Sequence, residues 1–282
     1  MQSSQITAVI LAKDEATRLP QIFENLKGFA KIVVFDGGST DSTDKVCADN
    51  DIQLISRPKH LRDIIGADYR FVFEEVSTPY ILLVNCSHYY PKKLLDTFKM
   101  VAEDGKYKAV YHDVVIYSYG RVVHRPFFRR RSSATNFYRI DAVNWENSKV
   151  HNEAPVELEE QHIYRSPALD EFSIHLFRDY NVQKSESNHS FYGDQDSKHR
   201  FMSGIRTNLW LIIWRPLRVF LYQYIRCGSI LYGINGLIYA LLFSQLELNI
   251  QLKLWELQNG WDLNAVKAMH LARRVRMQSD QY

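Results

Sequence analysis

The chain has 282 residues, of which 46% are apolar and 13% aromatic, so it carries enough core-forming material to exclude a wholly disordered class. Its 35 basic and 32 acidic residues leave a formal charge of +3, too balanced to argue for a nucleic-acid partner. Three widely spaced cysteines, Cys47, Cys86 and Cys227, make no CxxC pair; they exclude a disulfide scaffold and fit a reducing compartment.

Met1–Ser4 is polar and has no basic segment before an apolar run, so no signal peptide is expected. Ile6–Ala12 is short, apolar and rich in β-branched residues, which predicts a buried strand. Leu19, Ile22, Phe23 and Leu26 have helical spacing, and Gly28 is a stop signal. Lys31–Phe35 predicts a second strand that runs into the loop Asp36-Gly-Gly-Ser-Thr-Asp-Ser-Thr43, and Ile52–Ile55 a third. This βαβαβ order predicts an α/β fold with parallel strands and helices on both faces, whose ligands sit beyond the carboxyl ends of the strands. Ile64–Val76 reads as a helix, Tyr80–Val84 as a fourth buried strand, Pro91–Val101 as a helix and Lys108–Tyr117 as one strand.

Asn208–Ile225 is rich in Trp, Tyr and Leu, with Arg215, Pro216 and Arg218 inside it. Cys227–Leu246 then has twenty consecutive uncharged residues, about the length of a membrane-spanning helix, but includes Gly228, Gly233, Asn235 and Gly236. The tail is basic through Lys267, His270, Arg273, Arg274 and Arg276. These features predict helices that lie on or dip into the cytoplasmic face of a membrane, with packing on the α/β part of the chain or a homo-oligomer interface as the alternative.

The loop after the second strand has its own chemistry. Two glycines permit a sharp turn and close backbone approach to a ligand. Ser39, Thr40, Ser42 and Thr43 supply hydroxyls that can cap the next helix. Asp36 offers acceptors for ribose hydroxyls or a base N–H. A plain strand–turn–helix connection is the competing reading of the loop alone.

The blocks ITAVILAKDEATRLPQIFENLK, IVVFDGGSTDST and STPYILLV, in this order and spacing, resemble family 2 glycosyltransferases. The run FFRRR at Phe127–Arg131, then VHNE at Val150–Glu153 and IHLFRDY at Ile174–Tyr180, is similar to the lipopolysaccharide core β-1,4-glucosyltransferase branch, over roughly residues 5 to 260. The resemblance implies a GT-A fold, a Rossmann-like mixed sheet with a C-terminal α-helical extension. It divides the chain into a catalytic domain at 1–205, with a nucleotide-sugar half at 1–118 and an acceptor half at 119–205, and an apolar helical extension at 206–282.

The activity implied is inverting transfer of a hexose from a nucleotide-sugar, UDP-linked by expectation, to a glycolipid, lipopolysaccharide or other cell-envelope saccharide. The resemblance places Glu15, Asp36, Gly38, Asp41, Arg70, Asn85 and Ser87 at the nucleotide-sugar. It places Arg125, Arg129 and His175 at the diphosphate or acceptor, with Arg62, Arg130 and Arg131 as further cations. Glu153 is the implied general base and His151 its partner; Asp141, Glu146 and Glu157 are alternatives, because VHNE has one residue more than the family's VHE. The family's D-x-D, which holds Mg²⁺ or Mn²⁺, is replaced by Asn85-Cys86-Ser87, and an amide and a hydroxyl are poor ligands for a hard cation. Three outcomes follow: transfer without a metal, a weak metal site using His88, or a nucleotide-sugar-binding homologue without activity.

Overall fold

A computed structural model describes residues 3–58, 69–124, 134–142, 158–178 and 181–279. The chain forms two compact units, Met1–Asp179 and Tyr180–Tyr282. The second therefore begins before the boundary at 206 expected from the sequence, and it takes in a long polar helix.

The first unit is built on a seven-stranded sheet. Its parallel part comprises β1 (Ser3–Ala12), β2 (Ala30–Asp36), β3 (Gln53–Ser56) and β4 (Tyr80–Val84). β1 lies between β2 and β4, and β2 pairs β3. The two faces of β1 enter different cores. Ile6, Ala8 and Ile10 join one cluster, while Val9 joins the other. β4 divides in the same way, with Tyr80, Leu82 and Val84 on one face and Ile81 and Leu83 on the other. A strand buried on both sides needs apolar residues at consecutive positions, which is why these runs do not alternate.

Helices α1 (Leu19–Leu26) and α4 (Lys92–Asp104) cover the first face with Leu19, Ile22, Phe23, Leu26, Leu94, Leu95, Phe98 and Val101. The second face receives Val72 of α3 (Tyr69–Glu74) and Val76 just beyond it. Between β2 and β3 lies α2 (Thr43–Asp49).

The other half of the sheet departs from a parallel pattern. β9 (Ala134–Arg139) inserts antiparallel between β4 and β6 (Ala109–His112), and β10 (Ile163–Arg165) pairs β6. The expected strand Lys108–Tyr117 is two strands in two sheets. The chain turns a corner at Asp113, whose carbonyl accepts from the Ile174 N–H at 3.0 Å. β7 (Val114–Ser118) then joins a four-stranded sheet with β5 (His88–Tyr89), β8 (Arg121–His124) and β11 (Ile174–Arg178). The sheet is mixed, and the fold is α/β.

The second unit is helical: α5 (Val182–Met202), α6 (Leu209–Leu221), α7 (Gly233–Asn259) and α8 (Leu263–Ser279). Asn181 caps α5 by accepting from the Lys184 N–H at 2.8 Å, and Asn208 caps α6 through the Leu211 N–H at 3.0 Å. α7 packs along both α5 and α6.

Candidate functional site

The register of β1 against β2 brings Ala12 beside Asp36, and that of β1 against β4 brings Ile10 beside Val84. The loops after these three strands therefore share the carboxyl edge of the sheet. Ligands of open α/β sheets occupy this edge.

Two of the loops are stitched to each other. Asp14, in the left-handed region at φ 57°, donates its N–H to Ser39 Oγ at 2.8 Å. Its carboxylate accepts from the Thr40 N–H at 2.7 Å and the Thr40 hydroxyl at 3.2 Å. Asp41 reaches back, with Oδ2 accepting from the Ala16 N–H at 3.0 Å. The Glu15 N–H donates to Thr43 Oγ1 at 3.1 Å. The Gly37 N–H donates to the Ala12 carbonyl at 2.7 Å. At Gly37 an added Cβ would displace the Arg57 guanidinium, 2.2 Å away at Nη2, and sit tightly at 3.2 Å from the Ala12 carbonyl oxygen, so the close crossing favours glycine.

Asp36 holds the loop from within. It is 9% exposed. Its carboxylate accepts from the Gly38 N–H at 2.9 Å, from the Ser39 N–H at 3.0 Å and from the Ser39 hydroxyl. Gly38 has φ 85°, which a side chain would strain. Asp36 thus spends much of its acceptor capacity on its own loop rather than presenting it whole to a ribose. Asp41 behaves alike: the Thr43 hydroxyl at 2.6 Å is the chief cause that holds its carboxyl below the usual value. The start of α2 is held by Asp41 Oδ1, which accepts from the Thr43 N–H at 3.0 Å, whereas Ser42 makes no side-chain cap. The expected hydroxyl cap is therefore a carboxylate. Glu15 is engaged bidentately by Arg18, through Nε at 2.6 Å and through Nη2.

The third loop carries the replaced metal motif. Asn85 Oδ1 accepts from the Ser87 N–H at 2.9 Å and the Ser87 hydroxyl at 2.6 Å, so the two residues close a turn on each other. Cys86 between them is buried, and burial pushes its thiol up to about 12. Among the described residues no three His, Cys, Asp or Glu side chains gather to hold a metal. The donor set at this loop does not fit a resident divalent cation.

His88 turns into a polar chain beneath the loop. Its Nδ1 lies 3.1 Å from the Tyr90 hydroxyl. Asn136 donates to that hydroxyl at 2.9 Å and to the Leu83 carbonyl at 2.7 Å, and its Oδ1 lies 2.8 Å from His112 Nε2. Burial pulls His88 down to about 3 and lowers His112, so both rings are neutral at pH 7. His175 is committed at both nitrogens, Nδ1 to the Tyr117 hydroxyl and Nε2 to the Asp170 carbonyl, each at 2.9 Å. A diphosphate contact through this ring would have to break one of these bonds.

The edge thus gathers Glu15, Asp36, Gly38, Asp41, Asn85 and Ser87. Arg70 lies on α3, outside this loop cluster as far as its backbone is described. Arg62, Arg125, Arg129–Arg131, Glu146, His151, Glu153 and Glu157 fall outside the described residues. Asp141 is held by Arg139 at 2.6 and 2.7 Å, an ion pair that competes with a base role. Sequence reading missed the Tyr90–Asn136–His112 chain and the bonds by which Asp14 and Thr43 join the two loops. Asp14 was detectable as a short polar residue in a strand-end turn, where αL is tolerated. A cavity of about 320 Å³ lies elsewhere, between α1, β5 and α4, lined by Asn25, Phe29, Tyr89, Lys92 and Lys99.

No protein-family model matches the chain, and no curated protein sequence does. Among solved structures it is similar to TarS of S. aureus at 11% identity and TM-score 0.47, over 88% of this chain and 55% of that one. It is also similar to glucosyl-3-phosphoglycerate synthase from Mycobacterium tuberculosis in complex with Mn²⁺ and UDP-glucose, at 11% identity and TM-score 0.43, over 72% of this chain and 80% of that one. The same synthase with Mg²⁺ and UDP is matched at 16% identity and TM-score 0.31, over 39% of this chain and only 43% of that one.

Proposed function

We propose that the chain is a glycosyltransferase of the GT-A kind, related to family 2 and to its lipopolysaccharide core branch. It would move a hexose from a nucleotide-sugar, UDP-linked by expectation, to a saccharide or glycolipid acceptor with inversion at the anomeric carbon. The observation that carries this reading is the pair of loops locked together at the carboxyl ends of β1 and β2, with Asp36 fixing the D-G-G-S-T turn. In this reading Asp36 and Asp41 shape the loop. The exposed rim of Lys13, Asp14, Thr40 and Asp41 meets the nucleotide.

Inversion needs one general base to take the acceptor hydroxyl proton while its oxygen attacks in line. The sequence assigns that role to Glu153, with His151 beside it. The leaving diphosphate gains charge that must be neutralised. The Asn85–Ser87 turn supplies no carboxylate for a metal, which supports neutralisation by Arg125 and the Arg129–Arg131 run. The same turn supports a second reading, a homologue that binds nucleotide-sugar without turnover. The apolar, basic C-terminal helices support attachment to the cytoplasmic face of a membrane, where a glycolipid acceptor would be met.

Calorimetric titration with UDP-sugars, followed by hydrolysis and transfer assays with and without EDTA, tests these readings. Binding with EDTA-resistant turnover is expected. Binding without turnover would favour the second reading, and no binding would refute both.

A further inference from the structure

The second unit exposes a continuous apolar stripe on one helix. On α6, Leu209, Ile213, Leu217 and Leu221 recur every four residues, with Trp210 and Trp214 beside them. Each is more than a third exposed, and Leu209 reaches 76%. The two indoles stack at 5.7 Å. The stripe continues through a turn of π-helix at Tyr222–Arg226 to Ile225, which is 59% exposed. Arg218 and Arg226 are exposed as well and lie along one side of the stripe on the helical wheel. No acidic residue occurs between Asp196 and Glu247. An apolar stripe edged only by cations is complementary to an anionic lipid leaflet.

By length and composition the 31-residue stretch Ser229–Asn259 could cross a membrane, its most apolar window reaching a mean hydropathy of 1.4. Its cross-links oppose that. The Glu247 carboxylate is bonded by Arg200 of α5 at 2.9 Å, with Arg215 of α6 at 3.7 Å. Lys253 pairs Asp194 of α5 at 2.8 Å. Gln251, fully buried, lies 2.7 Å from both Thr207 Oγ1 and Glu247 Oε1. α5 turns Lys184, Glu186, Asp194 and Lys198 to solvent, so the part of α7 beside it shares its water-facing level. The stretch of α7 before Glu247 rises about 21 Å at 1.5 Å per residue, short of the roughly 30 Å hydrocarbon core.

We propose that α6 lies in the plane of one anionic leaflet, its stripe sunk to the acyl boundary and Arg218 and Arg226 at the phosphates, with α7 as its support rather than a span. This rests on the membrane attachment proposed above and assigns its mode. An in-plane helix uses the whole stripe from Leu209 to Ile225, and the exposed Ile230, Leu231 and Ile234 extend the apolar surface through the turn into the start of α7.

The test uses the full chain. Leu209→Cys, Leu217→Cys and Ile225→Cys are made singly in a Cys227→Ser background and labelled with an environment-sensitive fluorophore; Cys47 and Cys86 are buried and stay unlabelled. Vesicles of phosphatidylcholine with phosphatidylglycerol carry quencher lipids at two depths. All three labels should blue-shift on binding and report one shallow depth. Binding should fall at least tenfold without phosphatidylglycerol. Leu217→Asp should cut binding tenfold at an unchanged melting temperature. A depth that increases steadily from 209 to 225, or quenching by a reagent trapped in the vesicle, overturns the in-plane mode. A blue shift that grows with protein concentration and needs no vesicles would make the stripe a contact between copies, which also overturns it. Failure to sediment with vesicles removes the attachment itself, whether or not the protein binds nucleotide-sugar.

Discussion

Asp36→Asn tests whether this carboxylate organises the loop or touches the nucleotide directly. The substitution keeps shape but exchanges one acceptor oxygen for a donor. In the native loop Oδ2 takes the Gly38 N–H at 2.9 Å, and Oδ1 takes the Ser39 N–H at 3.0 Å together with its hydroxyl. With the amide nitrogen at the Oδ2 position the Gly38 N–H faces a donor; turned the other way, the Ser39 N–H keeps only its longer 3.2 Å contact to Oδ2. Leaving a buried donor unsatisfied costs about 1–3 kcal/mol. For a unit of this size each kcal/mol lowers the melting temperature by roughly 2–4 °C. Differential scanning calorimetry should therefore show a loss of several degrees, and hydrogen exchange should show faster exchange at Gly38 and Ser39. UDP-sugar affinity should fall along with loop order. An unchanged melt with lost affinity would refute the reasoning, because Asp36 would then act on the nucleotide and not on the loop. Unchanged melt and affinity would remove Asp36 from the site altogether.

Other perturbations follow from the same geometry. Gly236→Ala places a Cβ 1.8 Å from the Ser229 carbonyl oxygen, a backbone atom that cannot swing away; overpacking of this kind costs about 1–3 kcal/mol, read as a lower melt of the helical unit. Asn85→Ala removes two bonds in an exposed turn and should cost about 1 kcal/mol or less while reducing nucleotide-sugar turnover; a wild-type rate would take this turn out of the site. His88 stays neutral in the fold down to about pH 3 but takes a proton near pH 6.5 when unfolded. The unfolded state then binds more protons between these values, so His88 makes the fold lose stability as pH falls through that window. His88→Gln should flatten this part of the stability–pH curve, measured by urea melts. Asp41 has a depressed pKa, so the Ala16 and Thr43 amide shifts should titrate with a midpoint below 3.8, and a higher midpoint would contradict the loop-to-loop bond.

The parallel half of the sheet was readable because burial on both faces writes itself as consecutive apolar residues in β1 and β4. The corner at Asp113 was not, because Ala109–Ser118 carries a similar pattern on either side of it. What separates β6 from β7 is long-range: β9 claims one and β11 the other. β9 itself, ATNFYR, has a polar start that does not read as a strand. Asn136 within it is buried for the sake of His112 and Tyr90. α5 escaped notice for a different reason. Its buried stripe is Ser185, His189, Gly193 and Ser197, spaced every four residues but small and polar, so apolar periodicity cannot find it. At Gly193 the stripe lies against Lys253 and Asn249 of α7, which an added Cβ would meet at ordinary contact distances of 3.7 and 3.8 Å.

The candidate site shows the same division. The motif placed Asp36, Asp41 and Glu15 at one edge, and the structure brings them there. Their partners change what they can do. Asp36 is bonded within its own loop, Asp41 both within that loop and to the loop after β1, and Glu15 to Arg18, so none presents a carboxylate wholly available to a cation. A diphosphate at this edge, as proposed above, would meet three carboxylates, of which Glu15 is offset by Arg18 while Asp36 and Asp41 have their charge spread over hydrogen bonds. The loop supplies those bonds from Gly38, Ser39, Thr43 and Ala16. The replacement of the metal motif by Asn85 and Ser87 then follows the same logic. Two neutral residues that satisfy each other add no further negative charge at this edge, which suits the metal-free transfer proposed above.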